Sequence, residues 1–180
     1  MALPEPTVEA RLTALADHAE LVTLLDRYAR ALDERTLDSQ ALAALFTPDA
    51  TVRLPTEEYA GLTDVSQYLL ASMATSGTTQ HMYANHLVEL KGDAASLRVN
   101  SNATYVILGS ERVYIAGSII TGTAVRTPYG WRLKSLAFTP TWDTLATFPT
   151  GGDARPAEAD ASAEADTSDE GDASDRGDKD

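Results

Sequence analysis

Apolar and polar positions change their period once along this chain, near Ser76-Gly77. Before that point apolar residues recur at helical spacing. After it they alternate with polar ones. Asp17 followed by Glu20 reads as an N-cap with its capping-box partner. Leu21, Val22, Leu24, Leu25, Tyr28, Ala29 and Leu32 then form a broad apolar face. Thr23, Arg27, Arg30 and Glu34 take the other side. Asp33 falls on the rim of the apolar face, about 20° around the helical wheel from Val22. A second, short helix is predicted from Asp38 to Phe46, ended by Pro48, which disfavours helix in the residue before it. Thr51 to Leu54 reads as a short strand. A third helix is predicted from Thr63 or Asp64 to Met73, burying Val65, Tyr68 and Leu69.

Beyond Gly77 the period is two. Strands are predicted over Gln80–Leu90, Ala95–Leu108, Val113–Arg126 and Trp131–Trp142. Lys91-Gly92-Asp93 and Thr127 to Gly130 carry hairpin-turn residues, and Gly109-Ser110-Glu111 joins the middle pair. Helices first and an antiparallel meander afterwards make an α+β domain, with three helices packed on one face of a curved, mainly antiparallel sheet.

Charge changes this picture at one end. The formal net charge is −13, and residues 151–180 hold 11 acidic residues against 3 basic ones. That stretch has no Leu, Ile, Val, Met or aromatic residue, so it has little to bury against its ordering entropy. The expected layout is an N-terminal extension over residues 1–16, one domain over 17–148 and a disordered acidic tail over 149–180. An acidic chain without a basic stripe offers little to phosphates, so nucleic acid is not an expected partner. There is no cysteine, hence neither disulfides nor thiolate chemistry. No apolar run approaches the roughly 20 residues of a membrane span, and the first residues lack a signal-peptide pattern, so a cytoplasmic location is expected.

Candidate chemistry gathers in the stretch Thr78 to His86, which holds two of the three histidines. A neutral imidazole takes a proton at one nitrogen while a carboxylate anchors the other. Asp33, on the rim of the first helix, is positioned to do this for His81. The same two residues also fit plainer roles, Asp33 as a helix-end partner of Arg30 or Arg35 and His81 as a core histidine. His86 lies five places beyond His81, and strict alternation sends it to the opposite face. Only a bulge near Asn85 brings both histidines inward. Tyr28, Tyr59, Tyr68, Asn102, Phe138 and Trp142 are further candidates for lining a pocket. The histidines and carboxylates lack compact metal-ligand spacing, so neither metal nor cofactor is expected. No Gly-x-Ser-x-Gly nucleophile motif is present.

The order helix–helix–strand–helix–strands over about residues 15–145 resembles the NTF2-like superfamily, a cone-shaped α+β fold. Within it the chain looks like the SnoaL-like group and is nearest in motif to the scytalone dehydratases. Tyr28-Ala29 with Asp33 and Asp38, Glu57-Glu58-Tyr59-Ala60-Gly61-Leu62, and Thr79-Gln80-His81 carry that likeness. The resemblance implies that Asp33 and His81 occupy the positions of an Asp–His acid/base pair. The two tyrosines that hold a catalytic water in those dehydratases fall on Leu32 and Leu54, and a second histidine falls near Asn102. What the resemblance implies is therefore an acid/base pair in an apolar pocket without that water site.

These readings point to a cofactor-independent enzyme of dehydratase, isomerase or cyclase type, acting on a small apolar polyketide-like or polycyclic metabolite. A ligand-binding or assembly module of the same fold is the alternative, and an epoxide hydrolase using Asp33 with Arg98 is a further one. The resemblance also implies self-association, as a dimer or trimer.

Overall fold

The computed structural model describes residues 5–147, and the acidic tail expected over 149–180 lies outside them. The first helix, α1, spans Val8–Asp33. Its N-cap is Thr7, whose hydroxyl accepts from the Ala10 amide at 3.2 Å. Asp17 is therefore not a cap, as the sequence pattern predicted, and the expected domain start at residue 17 falls inside a helix. Asp17 is buried mid-helix, accepting from Arg126 Nη2 at 2.6 Å and Trp131 Nε1 at 3.2 Å. The turns before it escape an amphipathicity argument because Val8, Leu12 and Leu15 are exposed.

The second helix, α2, spans Ser39–Leu45, capped by Asp38, which accepts from the Ala41 amide at 2.7 Å. Strand β1 follows without a break over Phe46–Arg53, and a three-residue strand, β2, covers Glu58–Ala60. The third helix, α3, spans Leu62–Thr75 behind Gly61, whose φ of 83° suits glycine. Strands β3 (Ser76–Lys91), β4 (Ala94–Ile107), β5 (Arg112–Thr127) and β6 (Gly130–Thr147) complete the domain. Among the described residues no helix is long and apolar enough to cross a membrane.

The six strands form one sheet in the order β2-β1-β6-β5-β4-β3. All neighbours are antiparallel except β1 and β6. The β1–β6 ladder breaks between Phe46 and Thr51, where Pro48 has no amide to donate. The core lies between the helices and one face of the sheet, and includes Leu21, Leu25, Tyr28, Phe46, Val52, Val65, Ile120 and Leu133. Tyr28 and Phe46 meet edge to face with centroids 5.4 Å apart.

One irregularity positions the site. In β3 the register to β4 shifts between Ala84 and Leu87, and Asn85 adopts φ 56°. This is a β-bulge, and it resets the alternation of faces. His81 and Tyr83 point to the helices before it, and His86, Val88 and Leu90 do so after it. Met82 and Leu87 are exposed on the opposite face.

Candidate active site

Asp33 is the last residue of α1, and β3 runs beneath that helix end. Its carboxylate collects three partners from β3. Thr79 Oγ1 donates to Oδ1 at 3.0 Å, the His81 amide donates to Oδ2 at 2.9 Å, and His81 Nδ1 lies 2.7 Å from Oδ1. A carboxylate only accepts, so the Nδ1 proton faces Asp33 and Nε2 is left with its lone pair. Nε2 meets the hydroxyl of Tyr105 at 3.2 Å. Burial, followed by the neighbouring Tyr68, Tyr114 and Asp33, pushes the Tyr105 phenol up to about 12, so it stays a proton donor at neutral pH. Burial also raises Tyr83 and Tyr28.

The imidazole edge opens into a cavity of about 80 Å³. Tyr28, Leu32, Tyr68, Tyr83 and Phe138 give it apolar walls, with hydroxyls from Ser72, Ser101 and Ser118. Tyr68, Ser72, Tyr105 and Phe138 also line an outer vestibule of about 460 Å³, so the two spaces share a wall. The dyad is thus nearly buried, with the His81 side chain 9% exposed, yet borders open space.

Residues 13–137 match the SnoaL-like domain. The chain belongs to the SnoaL-like family. It is 32% identical over 127 residues to the uncharacterized protein Rv2910c of Mycobacterium tuberculosis, covering 66% of this chain and 82% of that protein. A structure from Novosphingobium aromaticivorans, provisionally named a scytalone dehydratase, superimposes with a TM-score of 0.68 at 21% identity, covering 73% of this chain and 89% of that one. Hexachlorocyclohexane dehydrochlorinase LinA-type3 from Novosphingobium barchaimii gives 0.67 at 16% identity, covering 76% and 94%. An NTF2-like superfamily protein from Salmonella enterica gives 0.65 at 16%, covering 77% and 99%. The fold is NTF2-like, and the structural relatives include proteins named as a dehydratase and as dehydrochlorinases.

Within this SnoaL-like domain the other candidate residues separate. Tyr28, Tyr68 and Phe138 line the cavity, whereas Trp142 borders the vestibule only through its strand: it pairs with Gly117, itself opposite Asn102, and its indole covers Gly117 on the face away from the cavity. Tyr59 stands behind the wall, stacked on Tyr68 at 4.5 Å. Asn102 pairs with Met82 in the β3–β4 ladder and lies on the face away from the cavity. His86 shares the helix-facing side with His81 because of the bulge, but it packs under α1. Its Nε2 is buried 3.6 Å from Asp26 Oδ1, beyond hydrogen-bond length. An Asp33–Arg98 relay does not form. Arg98 alternates with the inward Leu97 and Val99, and its guanidinium reaches Asn100 at 3.3 Å. Leu32 lines the cavity and Leu54 the vestibule, so both positions matched to water-holding tyrosines border the site with apolar side chains. Among the described residues no group of three or more His, Cys, Asp or Glu side chains is placed to hold a metal ion.

Sequence reasoning missed Tyr105 and Thr79. Thr79 was in plain view, two residues before His81 and hence on the same face. Tyr105 depended on the register of a partner strand. His81 pairs with Ala103, which places Tyr105 two residues along on the same face, and no local pattern fixes that pairing.

Proposed function

We propose that this protein is a cofactor-independent enzyme working by general acid/base catalysis on a small, largely apolar, polyketide-like or polycyclic metabolite in the cytoplasm. His81 Nε2 takes a proton from carbon beside a carbonyl. Asp33 holds the tautomer and stabilises the imidazolium that forms. Tyr105 is placed to donate to the oxygen that gains charge. Return of the proton to another carbon gives isomerisation, its delivery to a departing hydroxyl gives dehydration, and attack of the enolate carbon on a second carbonyl gives ring closure. The observation that carries this reading is the continuous chain Asp33–His81–Tyr105 along the edge of an open cavity. A purely structural pair would have its hydrogen bonds but no adjoining space.

The test is turnover of a panel of ketone-bearing polycyclic substrates by the wild type, His81→Ala and Asp33→Asn. Loss of a positioned acid/base costs about 10²- to 10⁴-fold. Unchanged turnover in both variants would leave the binding-module reading standing.

A further inference from the structure

The vestibule outside the dyad has aromatic walls and, among the described residues, a single charge. Tyr68, Tyr105, Tyr114 and Phe138 supply the rings, and Asp143 is the one charged lining residue among the described residues. Among the described residues, no lysine or arginine lines the vestibule or the inner cavity. Asp143 accepts from the Tyr114 hydroxyl at 3.3 Å. None of the ion pairs formed among the described residues uses Asp143. Tyr114 stands directly across the ladder from Tyr105, ring centroids 6.0 Å apart.

We infer that the vestibule is a subsite for a positively charged amino group carried by an otherwise apolar guest. The inference rests on the proposed function for the other end of that guest, which enters the inner cavity. An ammonium is attracted to the negative faces of phenol and phenyl rings, and Asp143 adds an opposite charge. An anionic guest meets that same carboxylate and no cation to offset it, which selects against acids and phosphate esters. Tyr105 joins the two spaces, its hydroxyl on His81 and its ring against Tyr114. The amino group therefore sits about one ring's length from the reacting carbon.

Calorimetric titration of the full chain with three matched probes tests this: (naphthalen-1-ylmethyl)trimethylammonium, naphthalen-1-ylmethanol and 1-naphthylacetate. The cation is expected to bind about tenfold more tightly than the neutral probe, and the anion more weakly than either. Asp143→Asn and Tyr114→Leu should each reduce the cation's advantage, with the neutral probe's affinity unchanged in Asp143→Asn. Equal binding of cation and neutral probe by the wild type overturns the subsite and leaves the dyad reading intact. A cation preference that survives both substitutions places the charge elsewhere and also overturns it. Failure of all three probes to bind removes the subsite and the guest-binding cavity together.

Discussion

At the scale of single residues, the site depends on which groups an imidazole can touch at once. His81 has a carboxylate on one nitrogen and a phenol on the other. Tyr105→Phe keeps the ring, which meets His81 edge to face at 5.4 Å, and removes only the hydroxyl. A hydrogen bond to a group that gains charge is worth about 1.5–3 kcal/mol. Turnover is therefore expected to fall by about 10- to 100-fold with little change in melting temperature. Because the Tyr105 phenol is raised to about 12, it is not expected to produce an alkaline limb below that pH in the rate profile. An alkaline limb near pH 10 that disappears in Tyr105→Phe would contradict this assignment.

At the scale of elements, two devices hold helix to sheet. The first is Asp17, which ties α1 to the β5–β6 hairpin through Arg126 and Trp131, with the guanidinium 4.5 Å over the indole. The Arg126 hydrogen bond holds the Asp17 carboxyl below its ordinary 3.8. A depressed acid contributes stability above its unfolded-state pKa, and loses it as pH falls through the folded value. Asp17→Asn, which can still accept from Trp131, is expected to melt below the wild type at neutral pH. The gap should close as the pH drops below about 4. Asp17→Leu also strands the buried indole N–H, a further cost of about 1–3 kcal/mol. The second device is the β3 bulge. Asn85→Val forces a β-branched residue into the left-handed region, at a cost of roughly 1–2 kcal/mol, and a lower urea midpoint should record it. Asn85→Gly, which tolerates that backbone, should lose less.

At the scale of the whole domain, the sheet has a second face. Met82 and Leu87 are exposed on it, and Val106 is partly so. We propose that a second copy of the chain covers this surface, since such apolar groups gain by leaving water. Light scattering at micromolar concentration is expected to give at least twice the mass of one chain, and Leu87→Glu with Met82→Glu should lower it. A monomeric wild type would count against this proposal.

Periodicity by itself determined the three helices, the four long strands and the α+β class, because burial on one face imposes a period on the chain regardless of partners. It also placed Asp33 on the helix rim, while the family resemblance carried by Thr79-Gln80-His81 is what paired it with His81. Tertiary structure alone decided what depends on a second segment. Asp17 became a buried anchor because Arg126 and Trp131 come to it from the other end of the chain. Strand β2 needed β1 to exist, since three residues carry no period of their own. His86 turned inward through a bulge whose position follows from the β3–β4 register. Tyr105 joined the dyad and Asn102 left the cavity for the same reason: a strand's own sequence sorts its side chains into two faces, and only its neighbours decide which face looks into the protein.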